Sequence, residues 1–139
     1  MNSTRLISTL FKPRQTATAL YATQAEAIQA KVFDRLIKDA ANTKWGLEYS
    51  YKDIKSYQDY QRVPLQTYEE IKPYVERMRR GEKNVLWPGE VIWFAKSSGT
   101  TNDKSKFIPV SKEGLHDIHY AGGMDAVALY LQQNPNSRF

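Results

Sequence analysis

Ser97, Ser98, Gly99, Thr100 and Thr101 put four hydroxyls and a glycine in five consecutive positions, with Lys104 and Lys106 close behind. Such a set suits a polyanion. Gly99 has no side chain, so the backbone there can approach a ligand closely and point its N–H at a phosphate oxygen. Each serine or threonine adds a short neutral donor. The two lysines add point charges on flexible stems. Asp103 would repel phosphate unless it points outward or helps to hold magnesium. A solvated Ser/Thr/Asn/Asp turn has the same composition, so the loop alone leaves both readings open. Two familiar signatures do not fit. A Walker A loop needs glycine where Lys104 stands, and a serine-hydrolase elbow centred on Ser98 needs glycine where Lys96 stands.

A site of this kind needs rigid flanks. Val91 to Ala95 is bulky, β-branched and aromatic, which predicts a buried strand. Phe107 to Val110 predicts a second strand, which Pro109 confines to an edge or a strand end. The ten residues between them, Lys96 to Ser105, exceed the roughly two to five of an ordinary hairpin loop, so their length points to function.

Lys96-Ser97-Ser98-Gly99-Thr100-Thr101 through Lys106-Phe107-Ile108-Pro109 resembles the first ATP-binding motif of the adenylate-forming superfamily. More narrowly, it resembles the Gretchen Hagen (auxin-responsive promoter) family of acyl-acid amido synthetases. Ala41-Asn42-Thr43-Lys44-Trp45-Gly46 and Val63-Pro64-Leu65-Gln66-Thr67-Tyr68-Glu69-Glu70-Ile71-Lys72-Pro73-Tyr74 agree with that family's N-terminal layout. The likeness runs from about Leu10 to the end, with three matches in the same order and spacing. One position departs from it: family loops carry glycine after the hydroxyl pair, and here Asn102 stands there. Asparagine is the non-glycine residue best able to adopt a left-handed backbone, so the loop's shape can survive the exchange.

The resemblance implies an α/β fold, α+β by content over this stretch: N-terminal helices, then the start of the large domain of an adenylate-forming enzyme, with a strand–phosphate loop–strand unit. It implies an ATP-dependent ligase with magnesium as cofactor. A carboxylic acid would be activated as acyl-adenylate with loss of pyrophosphate, and an amine or amino acid would then displace AMP. Ser97, Ser98, Thr100 and Thr101 would be donors to the β- and γ-phosphates, Gly99 the close-approach residue, and Asn102 part of the same loop. Lys104 or Lys106 would supply counter-charge. Lys106 is favoured because a strand anchors its backbone, whereas Lys104 sits beside Asp103. No catalytic side chain and no metal ligand of the protein is implied in this stretch, and neither nucleic acid nor membrane is an expected partner. Family members are several-fold longer. The expectation is therefore an incomplete N-terminal part of the ATP-binding domain, a fragment or truncated product inactive on its own, whose partner is the remainder of its polypeptide. The turn-like Asn134-Pro135-Asn136-Ser137-Arg138-Phe139 agrees with that.

Composition sets wider bounds. The 139 residues carry 20 Lys+Arg against 15 Asp+Glu, a net charge of +5, which permits nucleic acid, anionic membrane or nucleotide partners without choosing among them. A basic nucleic-acid-binding or protein-interaction module with a Ser/Thr-rich surface loop is thus the alternative from another class. Zero cysteines exclude disulfides, thiolate metal sites and a cysteine nucleophile, and fit a reducing, cytoplasmic setting. No apolar run approaches the roughly 18 residues that cross a bilayer. The first 24 residues, with Arg5, Lys12, Arg14 and no acid, resemble a transit peptide, but an ordinary helix broken at Pro13 is preferred.

Four segments order these features: a helical lead-in over 1–62, a helix and turn over 63–90, strand–loop–strand over 91–110, and a helix over 111–133. Leu20, Ala27, Ile28, Val32, Phe33, Leu36 and Ile37 recur at helical spacing, predicting one helix from Thr16 to about Thr43 that Gly46 closes. Tyr49, Tyr51, Tyr57, Tyr60 and Tyr68 read as the rim of a small core, with a base-stacking surface as the alternative. Thr67-x-x-Glu70 is a capping box that opens a helix to Arg80, where Gly81 stops it. Pro73 predicts a kink or a short leading turn there, and Glu76 and Arg80 a pair. Lys72, Arg77, Arg79, Arg80 and Lys83 form a basic face that nearby glutamates largely neutralise. Trp87-Pro88-Gly89 reads as a turn. Ser111 can cap the last helix, in which His116 and His119 are a possible metal pair without a third ligand. Gly122-Gly123 predicts that something packs closely on that helix, either another helix or a ligand.

Overall fold

The computed structural model describes residues 3–98 and 105–137, mostly helix with a two-stranded antiparallel sheet. Two units are resolved: Lys31–Lys112, and Met1–Ala30 together with Glu113–Phe139. Among the described residues no helix is long and apolar enough to cross a membrane.

Within Lys31–Lys112 the chain's first sharp turn is organised by Thr43. The single helix predicted from Thr16 is divided at Gln24; its second part, α2 (Ala25–Ala40), ends three residues earlier than the periodicity predicts, and Thr43 caps a new helix, α3 (Lys44–Glu48). Thr43 is 1% exposed; its hydroxyl donates to the Ala40 carbonyl at 2.7 Å and accepts the Gly46 N–H at 2.9 Å. Both its bonding capacities are used, so the buried oxygen costs little. The Lys44 and Trp45 N–H groups of α3 donate to the carbonyls of Asn84 and Val85, at 2.8 and 3.1 Å, which satisfies orphan donors at the helix start. Gly46 is not the expected C-cap but lies inside α3. A Cβ there would fall on the Ala40 carbonyl and come within 3.0 Å of the Ala41 Cα, so glycine lets α3 lie against the end of α2.

Behind this turn Ile37, Ala40, Ala41, Tyr51 and Ile54 form one core cluster, with Phe33, Trp45, Tyr49, Val63 and Trp87 packed on it. Tyr49, Tyr51, Tyr57 and Tyr60 serve packing, as their composition suggests. Tyr51, in the 3₁₀ turn Tyr51–Asp53, accepts from the Trp45 indole at 3.0 Å. Burial pushes its phenol up to about 12. Tyr57 and Tyr60, which bound the short helix α4, meet the Phe33 ring edge-on.

A second cluster, Met78, Val85 and Val91 with Tyr74, Leu86, Trp87 and Phe94, lies under helix α5 (Tyr68–Arg79). The predicted capping box is present: the Glu70 carboxylate accepts the Thr67 N–H at 2.6 Å and its hydroxyl at 2.7 Å. Those bonds hold the Glu70 carboxyl below its usual range, the backbone one foremost. Gly81, at φ +84°, ends the helix as expected. No separate leading turn precedes Pro73, which sits inside α5; the buried Val75 and Met78 beyond it tie that part of the helix to the core. Asn84, at φ +55°, takes the Gly89 N–H on its side chain at 2.7 Å and closes the Trp87-Pro88 turn.

The basic face of α5 is largely self-neutralised. Arg77 grips Glu82 with two bonds at 2.7 and 2.8 Å, and Lys44 reaches the same carboxylate at 2.5 Å. Arg77 first and Lys44 second hold Glu82 down to about 2. Glu76 pairs with Arg79 at 2.8 Å, not with Arg80. The Arg80 N–H still meets the Glu76 carbonyl at 3.2 Å, but the Glu76 carboxylate is taken by Arg79, which approaches both of its oxygens. Lys72 meets Glu69 at 3.3 Å and Lys83 meets Glu90 at 3.6 Å.

In the other unit, helix α1 (Ser3–Thr23) runs straight through Pro13, correcting the expected break. Arg14 and Gln15, just after the proline, are fastened to the last helix, α7 (Ala121–Gln133): Arg14 meets Asp125 at 2.5 Å and Gln15 donates to the Ala128 carbonyl at 3.2 Å. Packing there, over the buried Ala128 and Leu131, outweighs the one backbone donor that proline removes. The predicted closing helix is three pieces in series: α6 (Lys112–Gly114), a π-helical segment Leu115–Tyr120, and α7. Among the described residues nothing beyond the helix's own backbone lies within 4 Å of a Cβ built at Gly122 or Gly123, so no other helix packs closely there.

Candidate functional site

Strand β1 (Trp93–Lys96) pairs antiparallel with β2 (Phe107–Val110), so that Trp93 faces Val110, Phe94 Pro109, Ala95 Ile108 and Lys96 Phe107. The strand begins later than the apolar run, and it is not buried. Val91 is buried ahead of it, while Ile92 is 64% and Trp93 45% exposed. Successive side chains of a strand point to opposite faces, and only one face of this hairpin is covered. Phe94 turns onto the cluster beneath α5, and the Trp93, Ala95, Ile108 row faces away. Pro109 meets no conflict, since each of two strands is an edge.

The hairpin sets the two ends of the hydroxyl loop against each other. The Ser97 N–H donates to the Lys106 carbonyl at 3.0 Å, and the Lys106 N–H donates to Ser97 Oγ, also at 3.0 Å. Ser97 and Lys106, nine residues apart, are thereby cross-tied. The Ser97 hydroxyl accepts in this tie and keeps its own hydrogen to give. Ser98 is exposed, one residue beyond the tie. Of the remaining candidate ligands, Gly99, Thr100, Thr101, Asn102 and Lys104 lie outside the described residues, as does Asp103.

A residue that the sequence reading left among the rim tyrosines belongs to this site. In the β1–β2 register the Phe107 N–H and carbonyl point away from β1. Tyr68, the first residue of α5, meets both: its hydroxyl accepts the Phe107 N–H at 2.9 Å and donates to the Phe107 carbonyl at 3.4 Å. Its ring also faces the Lys106 ammonium, 5.4 Å from the ring centroid, within cation–π range. From the other end of α5 the Arg79 guanidinium stacks 3.7 Å from the centre of the Phe107 ring. The capping box makes Tyr68 the opening residue of a helix, which is readable; that this helix start meets a strand 39 residues away is not.

The other candidates lie elsewhere. His116 and His119 fall in the π-helical segment, whose wider turn takes i, i+3 residues off a shared face; the ring neighbour of His116 is Tyr120, at 5.5 Å. Among the described residues no three His, Asp or Glu side chains gather as a metal cage. A groove of about 540 Å³ bounded by Asp34, Lys38, Tyr51 and Lys55 contains none of the loop residues.

Residues 16–138 match a family model described as the GH3 family N-terminal domain. Among similar curated proteins is an indole-3-acetic acid-amido synthetase of Arabidopsis thaliana, 26% identical over 110 residues, covering 76% of this chain and 20% of that protein. A jasmonoyl–L-amino acid synthetase of Nicotiana attenuata is 29% identical over 94 residues, 64% of this chain and 16% of its own. A jasmonoyl–L-amino acid synthetase of Oryza sativa subsp. japonica is 39% identical over 64 residues, 45% and 11% respectively. The chain thus spans a fifth or less of the length of these relatives.

Proposed function

Since this chain belongs to the GH3 family, through its N-terminal domain, we propose that it supplies the phosphate-binding hairpin of an ATP-dependent acyl-acid amido synthetase. The relatives are named as an indole-3-acetic acid-amido synthetase and a jasmonoyl–L-amino acid synthetase, which supports an acid and an amino acid as the substrates. In the proposed first step a carboxylate oxygen attacks the α-phosphorus of ATP and the bond to the bridging oxygen breaks. Pyrophosphate leaves with that electron pair. In the second step an amine attacks the acyl carbon of the adenylate, AMP departs with the carbon–oxygen pair, and the amine loses a proton to leave an amide.

The single observation that carries the reading is the cross-tie between Ser97 and Lys106 at the base of a hydroxyl-rich loop. It gathers one hydroxyl donor and one lysine at the loop's mouth, where negative charge would grow on departing pyrophosphate. Donors placed in advance at developing charge are what phosphoryl chemistry asks of a protein. Ser97, Ser98 and Lys106 are assigned to that role, with Gly99, Thr100, Thr101, Asn102 and Lys104 assigned from the sequence motif. ATP fits this donor set of neutral hydroxyls and ammonium. Magnesium would enter with the nucleotide's phosphates, since such ions commonly take only one or two protein carboxylates and leave the rest to phosphate and water.

The test is carboxylate-dependent exchange of pyrophosphate into ATP by the full-length protein, with auxin-like and jasmonate-like acids offered in turn. Exchange is expected with one acid class and none without acid. Exchange absent with every acid, in a folded protein that binds no ATP, would refute the proposal.

A further inference from the structure

We infer that Tyr68 is a positioning residue for Lys106, acting on the phosphate loop from outside it; this rests on the ligase reading above. Lys106 has its backbone tied to Ser97 on one side, through both its N–H and its carbonyl. The peptide that follows carries that carbonyl and the Phe107 N–H, so its other edge is open to a second tie. An edge strand exposes the N–H and carbonyl of alternate residues, and at Phe107 both are met by one hydroxyl, as a neighbouring strand would meet them. The 2.9 Å bond from the Phe107 N–H is well formed; the 3.4 Å bond to the carbonyl is the weaker of the two. The same tyrosine then presents its ring to the Lys106 ammonium at 5.4 Å. One side chain therefore holds the backbone after the lysine and guides the charge at its tip.

Two further features suit Tyr68 to this task. It stands at the start of a helix pinned by the capping box of Thr67 and Glu70, so its backbone is fixed independently of the hairpin. Phe107 is also gripped through its ring by Arg79. Loss of the tyrosine hydroxyl would therefore loosen the peptide at Phe107 without releasing the strand from α5. This separates a positioning role from a purely structural one.

The experiment uses the full-length protein and the variant Tyr68→Phe, which keeps the ring and removes the hydroxyl, alone and combined with Lys106→Ala. Hydrogen exchange read by mass spectrometry across residues 105–110 is expected to speed up about 2- to 13-fold, the effect of one net hydrogen bond. The ATP KM for pyrophosphate exchange should rise by a similar factor while the acid's KM stays unchanged. In the Lys106→Ala background Tyr68→Phe should add little to the ATP KM, because residues acting as one unit are not additive. Unchanged exchange across 105–110, equal rises in both KM values, or an undiminished effect without Lys106 would each overturn the inference. If the unsubstituted protein shows no acid-dependent exchange, the ligase reading falls; the hold of Tyr68 on Phe107 is then decided by the hydrogen-exchange result alone.

Discussion

Replacing Ser97 with alanine separates the role that the structure gives its hydroxyl from the role proposed for it. As an acceptor, Ser97 Oγ takes the Lys106 N–H at 3.0 Å in a half-buried setting. Losing a neutral bond of this kind costs about 0.5–1.5 kcal/mol net, or about 2- to 13-fold if the whole cost falls on the rate. As a donor, the same hydroxyl can give its hydrogen to a charged phosphoryl oxygen, which is worth about 1.5–3 kcal/mol more. The two together come to about 2–4.5 kcal/mol, or about 30- to 2,000-fold. The ranges do not overlap, so magnitude decides between them. We expect Ser97→Ala to slow acyl-adenylate formation by at least about 30-fold, and Ser97→Thr, which keeps the hydroxyl, by less than about fivefold. The assay is single-turnover adenylate formation by the full-length protein at saturating acid and varied ATP. A loss near fivefold for Ser97→Ala would leave the residue only its closure of the loop base. Equal losses for alanine and threonine would show that shape, not hydrogen bonding, matters at this position.

Lys106→Ala should lower the adenylation rate by about one to two decades, the worth of a charge-assisted phosphate contact, with Lys104→Ala clearly milder and acid choice unchanged in both; a larger loss for Lys104→Ala would reverse the two assignments. The pH dependence of folding should carry the signature of Glu82, whose carboxyl sits at about 2 when folded against 4.5 as its ordinary value. A depressed acid stabilises fully above its unfolded value and loses that contribution as pH falls from about 4.5 toward 2, the unfolded chain binding the proton first. Glu82→Gln should flatten that part of a stability–pH curve measured at low salt, and an unchanged curve would show that its ties to Arg77 and Lys44 contribute nothing there.

Local chemistry was largely readable from the residue order alone. Thr67-x-x-Glu70 dictated a helix start because the cap is closed within four residues, and Gly81 dictated its end because a left-handed backbone suits glycine. Phe107 to Val110 declared a strand through its side chains, and the hydroxyl loop, together with two upstream stretches, marked the family. Tertiary contact decided the rest. The helix predicted to run to Thr43 stops at Ala40 because Thr43 finds Ala40 and Gly46 at once, and the Asn84 and Val85 carbonyls receive the new helix's first N–H groups. Pro13 fails to break α1 because α7 holds Arg14 and Gln15, contacts more than a hundred residues distant. Trp93 is exposed where an apolar run predicted burial, since burial depends on what covers a sheet's second face and not on the strand itself. Tyr68 reaches the loop's lysine for the same reason: a side chain's partners across 39 residues follow from how helix and hairpin pack, which no local pattern encodes.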